Sequence, residues 1–513
     1  MLFNSLSFLL LFLPLSWVVF YALARFDHRY AGGWLVAVSF VFYSWWDASL
    51  AVLLAASIAF NYFCGTRLLR AAESDRERFW WSLIGIGGDL LLLFYYKYFF
   101  AILEWLGLHG IVLFSDLHPV ALPLGISFFT FTQIGYLMDC KDGIVKENRF
   151  LDYGLFVTFF PHLIAGPILH HREMMPQYRN PESYRFQSRN FAAGAALFIM
   201  GLAKKAVLAD FFIPTVKATF AQPQHLALLP AWNGVLSYSL QLYFDFSGYS
   251  DMACGLALLF GMRFPANFNS PYRAACIIDF WQRWHMSLTR YLTLLLYNPI
   301  ALWVTRRRVA MGKSVSRKAQ ASVGGFLSMI ALPLFYTMIL AGIWHGAGMT
   351  FLVFGLLHAC YLTINHAWRG FGPKPKPGAD SFWRQRLILV GQIALTYLAV
   401  LVAQIFFRAE SCADAGKLLL GMLGTHGISG PLQSGPLYVH VPMLVGLFAV
   451  VWTMPNTLEL LEQFRPSLSD IRRSSLISIA LRPTVAWGMA LGALAALAVF
   501  SVTGTTEFLY FRF

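Results

Sequence analysis

The stretch FLSMIALPLFYTMILAGIWHGAGMTFLVFGLLHACYLTINHA, Phe326 to Ala367, decides how this chain folds. Two apolar runs, Phe326 to Gly342 and Thr350 to Ala367, flank a short turn that carries one histidine, His345. Each run approaches the about 20 mostly apolar residues that a membrane-spanning helix needs. Basic segments bracket the pair: Thr305-Arg306-Arg307-Arg308 through Arg317-Lys318 on one side, and Arg369 to Arg386, with Lys374, Lys376 and Arg384, on the other. Short Lys/Arg-rich loops mark the cytoplasmic face of a membrane protein. Both segments therefore face the cytoplasm, and the turn that holds His345 lies away from it.

Working outward, the 513 residues are 58% hydrophobic and 17% aromatic with only 12% charged, whereas a soluble domain carries about a quarter charged residues. The fold class is an all-α polytopic membrane protein. Apolar runs centre near 15, 38, 56, 90, 130, 160, 200, 240, 333, 358, 396, 447 and 492, which predicts about 11 to 13 membrane segments. No long polar stretch divides the chain, so 1–513 is expected to form one membrane domain: N-terminal helices over 1–119, a core over about 120–410 and extra helices over about 437–513. The first run, Leu6 to Leu23, lacks a basic flank ahead of it and is expected to be a retained span. Alternation then puts 408–436 outside, Arg465 to Arg482 inside and the terminal FLYFRF outside.

The net charge of +14 sits in short segments between apolar runs, a topology signal that implies contact with membrane lipid and not with nucleic acid. The six cysteines, Cys64, Cys140, Cys254, Cys276, Cys360 and Cys412, form no CxxC pair, and no histidine has HxxH, HxxxH or HExxH spacing. No metal site is expected.

The middle of the chain is less regular. His170 to Asn190 is polar and basic, Lys204-Lys205 interrupts an apolar run, and Asn267 to Arg290 is too polar for an ordinary span. Irregular or re-entrant segments persist at membrane depth only when buried in protein or lining a wet cavity. The candidates inside apolar segments are Lys97, Asp139, His162, Asp245, Asp251, His285, His345 and His358, because intramembrane ionisable groups are costly. Lys97, among tyrosines in FYYKYFF, suits a membrane interface. His358 and His366 read as packing residues. Asp245, Ser247, Tyr249 and Asp251 either wall a polar site or form a helix-packing network.

The segment from Ile277 to Arg290, projected as one helix, places Asp279, Arg283, Ser287 and Arg290 on one stripe, with Asp279 and Arg283 an i,i+4 pair. His285 falls opposite, beside Trp281 and Leu288. His345 follows Trp344 and precedes Gly346-Ala347-Gly348, small residues that let a helix or a ligand approach the ring. A neutral imidazole suits removal of a proton from a hydroxyl near neutral pH. Helix packing remains open for both histidines, and a transporter that exports a glycan or lipid would carry similar residues.

FFPHLIAGPI (159–168), LQLYFDFSGYSDMACGLALLFGMRFPANFNSPY (240–272), DFWQRWHMSL (279–288), GIWHGAG (342–348) and FFRAES (406–411), in this order, resemble the membrane-bound O-acyltransferases and, within them, the alginate O-acetyltransferase branch. The resemblance runs from Phe42-Tyr43-Ser44-Trp45-Trp46 to FLYFRF. The spans after about 437 look more like the polysaccharide-acetylating branch than the shorter D-alanyl transfer proteins. The resemblance implies a ring of helices around a thin, funnelled core with re-entrant or interfacial helices, in the inner membrane of a bacterium. It implies an O-acetyltransferase in which the family's near-invariant histidine is His345 and its motif histidine His285. It further implies acetyl-coenzyme A as the cytoplasmic donor, no permanently bound cofactor, and delivery to an exopolysaccharide or an extracytoplasmic acetyltransferase partner; a lipid or protein acceptor is the alternative. Arg283 and Arg290 are candidates for the donor's phosphates, and Trp281, Trp284 and Trp344 for contacts with the substrates. After RWHMSL the alginate branch commonly continues with Arg-Asp-Tyr and Pro-Leu-Gly-Gly, whereas this chain reads TRYLTLLLYNPIALWVTRRR. That departure points to a subgroup acting on another exopolysaccharide.

Overall fold

The computed structural model describes residues 1–71, 73–107, 121–146, 148–373, 381–430, 437–471, 473–502 and 509. Among them it is helical without strands. The elements that build the site are α1 (His28–Tyr43), α2 (Ala48–Arg70), α3 (Asp75–Leu93), α4 (Ile126–Lys141), α5 (Ser188–Ala203), α6 (Leu228–Leu259), α7 (Ile277–Trp281), α8 (Met286–Leu292), α9 (Leu332–His345), α10 (Met349–Phe371), α11 (Phe382–Arg408) and α12 (Val485–Phe500). Asp47, Ser74 and Ser381 start α2, α3 and α11 by accepting backbone N–H bonds from Ser49, Glu77 and Arg384, which satisfies donors that a helix N-terminus leaves open.

Among the described residues, five helices are long and apolar enough to cross a membrane: α2, α3 with its continuation to Trp105, the span Val323–His345 that ends in α9, α10 and α11. Three shorter apolar helices, Phe8–Ala24, His440–Thr453 and α12, accompany them. The long apolar helices lie mainly outside the middle of the chain. The runs near 130, 160, 200 and 240 fold as α4, a nine-residue helix Phe150–Thr158, α5 and α6. The first three are short, and α6, although 32 residues long, is buried along nearly all its length. These helices are largely buried in protein, where polar residues find partners. FLYFRF, expected outside, lies beyond the described residues except Leu509, and Lys374 and Lys376, expected at the cytoplasmic face, lie beyond them altogether.

The helix α6 is the axis of the molecule, and α5 packs on it through glycines. A Cβ on Gly201 would stand 2.6 Å from the Gly248 carbonyl oxygen, and one on Gly255 would stand 2.6 Å from that of Gly194. Two glycines seven residues apart on each helix thus bring the backbones together, the small-residue contact that suits helices without a hydrophobic driving force between them. This approach carries the end of α5 to the acidic residues of α6. Lys204 pairs with Asp251 at 2.6 Å, and Lys205 with Asp245 and Asp210 at 2.7 Å each. α12 also packs on α5.

The hairpin read from the sequence is present. α9 follows the 305–318 arginines and ends at His345, while α10 starts at Met349 and runs to the Arg369 end. A Cβ on Gly342 would lie 2.4 Å from the Phe351 carbonyl oxygen, and one on Gly355 2.5 Å from that of Met338. His345 therefore sits at the end of the hairpin remote from its basic segments.

Candidate active site

His345 is buried, with its ring edge-on to Trp344, Phe407 and Phe354 at 4.9, 5.1 and 5.8 Å between centroids. It lines two cavities. The first is bounded also by Lys97, Gly125, Ser127, Phe128 and Trp344. The second is bounded by Trp281, Trp284, His285, His358 and Gln404 together with aromatic rings. His345 is common to the walls of both. Trp281 lines the second cavity and a third that reaches Gln282, Met286 and Arg290.

His285 is placed by a break in what the sequence reads as one helix. α7 ends at Trp281, α8 begins at Met286, and His285 between them has φ 44° and ψ 51°. A left-handed non-glycine residue costs about 1–2 kcal/mol. Two backbone bonds from a loop far away in sequence hold it there: Asn269 N–H donates to the Arg283 carbonyl, and Met286 N–H to the Asn267 carbonyl, both at 2.9 Å. The single-helix projection is therefore corrected. The Asp279–Arg283 pair exists at 2.7 Å, but Ser287 and Arg290 follow a new axis and leave the stripe.

The side chain of Asn267 orients the imidazole. Its Oδ1 lies 2.9 Å from His285 Nδ1 and also accepts from Ser287 Oγ at 2.9 Å and Ser287 N at 3.3 Å, while Asn267 Nδ2 donates to Ser250 Oγ. The Ser287 backbone N–H identifies this atom as an acceptor. His285 Nδ1 is thus the donor nitrogen and Nε2 the acceptor, the tautomer a proton-accepting imidazole needs. Phe246 packs edge-on against the ring at 4.8 Å.

Several expectations change. Lys97 is no interfacial side chain. A π-helical turn at Phe94–Phe99 carries it inward, where it donates to the Trp344 carbonyl and to Ser127 Oγ at 3.4 Å and lines the first cavity beside His345. Tyr98 donates to the Ile343 carbonyl at 2.9 Å. The two side chains together cap the end of α9, and a cation there is favoured by the helix dipole. His358 is held as a packing residue by Trp281, whose Nε1 donates to its Nδ1 at 3.3 Å, yet it also lines the second cavity. Gly346 leaves room for no ligand, since a Cβ there would stand 2.1 Å from the Phe351 ring.

The candidate wall on α6 lies elsewhere. Leu242 and Phe246 face the second cavity. Asp245 and Asp251 face Lys205 and Lys204, and Tyr249 stacks on Phe3 at 4.7 Å; buried Ser247 also lines none of the cavities around His345. One helix face cannot serve both partners, and the close approach to α5 takes the acids. Arg283 is paired with Asp279, and Arg290 is gripped by both oxygens of Glu173. His162 is structural, its Nε2 lying 2.9 Å from the Phe156 carbonyl.

Sequence reasoning named Lys97 and His358 but set them aside as interfacial and packing residues, and it gave Asn267 no role of its own. Lys97 interrupts a long apolar helix, and that cost was the available signal; nothing local marked Asn267.

An imidazole walled by aromatic rings and shared by two cavities, and a second imidazole oriented by Asn267, make up the candidate site. The model of the membrane-bound O-acyltransferase family matches residues 90–314, and the chain belongs to this family. It is 37% identical over 461 residues to the peptidoglycan O-acetyltransferase of Helicobacter pylori, covering 84% of this chain and 81% of that one. It is 35% identical over 459 residues to the probable alginate O-acetylase AlgI of Pseudomonas aeruginosa, with 88% and 81% covered. The teichoic acid D-alanyltransferase of Bacillus subtilis matches at 29% over 52% of this chain and 65% of its own. The protein is a multi-pass membrane acyltransferase.

Proposed function

We propose that this protein takes an acetyl group from acetyl-coenzyme A on the cytoplasmic side of a bacterial inner membrane and transfers it, at His345, to a hydroxyl that leads to O-acetylation of a cell-surface polysaccharide. The observation that carries the reading is that His345 lines two cavities at once. Donor and acceptor approach from opposite sides, and the imidazole takes the hydroxyl proton as the oxygen attacks the thioester carbonyl. The thiolate of coenzyme A leaves with a proton, and the acetyl ester forms on the acceptor. General base catalysis supplies about 10² to 10⁴ in rate; alignment of the reactants in a water-poor passage supplies more. His285, oriented by Asn267, is the second imidazole of the same cavity.

The acceptor has two readings, because the relatives at 37% and 35% identity are named for peptidoglycan and for alginate. An exopolysaccharide is favoured by the sequence motifs. Membranes containing the wild-type protein or His345→Ala, supplied with radiolabelled acetyl-coenzyme A, test the reaction; equal label transfer by both would overturn it. Acetyl content of exopolysaccharide and of peptidoglycan from a deletion strain separates the acceptors, and loss from one fraction alone names it.

A further inference from the structure

The third cavity, beyond Trp281, adjoins a larger one, and Ser469 lines both. The link is built, since Ala266 N–H donates to Ser469 Oγ at 3.0 Å. Three arginines, Arg189, Arg263 and Arg465, line the larger cavity. Among the described residues none of them is in an ion pair. Glu462 and Asp470 also line the cavity, which leaves positive charge in excess.

Neutral groups hold the guanidiniums of Arg263 and Arg189 in place. Arg263 donates to Asn190 Oδ1 at 2.9 Å and to the Arg465 carbonyl at 3.2 Å, while the Gln177 amide grips its backbone on both sides, at 2.8 and 3.0 Å. Arg189 donates to the Gln463 carbonyl and lies over the Phe464 ring at 5.7 Å. Arg465 is left-handed, with φ 48°, a conformation that costs energy in a non-glycine residue. Burial, and after it the neighbouring Arg189, hold Arg263 below the usual arginine pKa. The fold thus spends strain and like-charge repulsion to bring cations together on neutral acceptors. Such an arrangement is relieved by an anion that accepts from several guanidinium N–H groups.

We infer that Arg189, Arg263 and Arg465 form a phosphate site at the head of the passage to His345. The site takes the phosphates of a soluble phosphorylated acyl donor, and this assignment of the ligand rests on the acyl-transfer reading above. It replaces Arg283 and Arg290, which are neutralised by Asp279 and Glu173.

The test uses the full chain in nanodiscs of phosphatidylcholine, with coenzyme A as probe and inorganic pyrophosphate as competitor. Arg263→Gln and, separately, the exposed Arg189→Gln are expected to weaken coenzyme A binding about tenfold each. The KM for acetyl-coenzyme A should rise in parallel while kcat at saturation stays within about twofold. Binding by the wild type should fall with added salt and yield to pyrophosphate. A second arm counts phosphatidylglycerol retained by each variant in native mass spectrometry: loss of lipid with coenzyme A binding unchanged keeps the phosphate site and makes its source a headgroup. If both substitutions leave coenzyme A binding and lipid retention as in the wild type, the site is refuted. His345→Ala separates the two claims, because it should stop transfer and leave coenzyme A binding intact.

Discussion

The α5–α6 contact and the cavities around His345 are both polar regions inside an apolar protein, and they are built on opposite principles. At α5–α6 every charge meets its opposite: Lys204 with Asp251, Lys205 with Asp245 and Asp210. Around His345 the neighbours are rings, amides, carbonyls and Lys97, which meets a carbonyl and a hydroxyl instead of a carboxylate, and the histidines are oriented by neutral acceptors or donors such as Asn267 and Trp281. The first region holds helices together. The second presents groups whose protonation can change during a reaction without breaking a salt bridge.

Substitutions should separate the two regions. The largest effect belongs to His345→Ala, which should lower acetyl transfer by about 10² to 10⁴ while the detergent-solubilised protein melts at its usual temperature. A melting temperature that drops as far as the activity would move His345 into the structural class. Next comes Lys205→Met, which leaves Asp245 and Asp210 buried without their cation and should cost about 3–5 kcal/mol of stability. It should show as lost yield and early melting, with the transfer rate per folded molecule preserved, and Asp245→Asn in the same chain should recover part of the loss. Asn267→Ala removes the acceptor of His285 Nδ1 and should cost about 1–3 kcal/mol, read as a fall in kcat larger than the fall in melting temperature. The smallest effect is expected of Trp281→Phe, which keeps a ring but withdraws the bond to His358; about 1 kcal/mol should appear in thermal stability with KM for the donor little changed.

Much of this contrast is legible in the sequence, but not its assignment to residues. His345 stands out because a histidine between two apolar runs is costly and because the flanking arginines orient the hairpin. His285 stands out for its aromatic company. The charges of α6 look as functional as the histidines until α5 is placed against them. Whether Asp245 faces a cavity or a lysine depends on a helix contact that Gly194, Gly201, Gly248 and Gly255 make possible. The break between α7 and α8 is likewise invisible locally, since the bonds that hold His285 in its left-handed conformation come from Asn267 and Asn269. Lys97 misled for a related reason: a lysine among tyrosines suits an interface, and only the packing of its helix on the end of α9 turns it toward His345.

The sequence by itself determined that this is a polytopic helical membrane protein, that a hairpin carries His345 away from its basic ends, and that the chain resembles the O-acyltransferases. Those properties follow from hydropathy, charge and short motifs, which act along the chain within one or two turns. Only the tertiary structure decided which ionisable groups are neutralised and which line the cavities around His345, how His285 is turned, and that Arg189, Arg263 and Arg465 line one cavity. Inside a membrane the role of a polar side chain is set by the partner that satisfies it, and here those partners come from distant helices and loops.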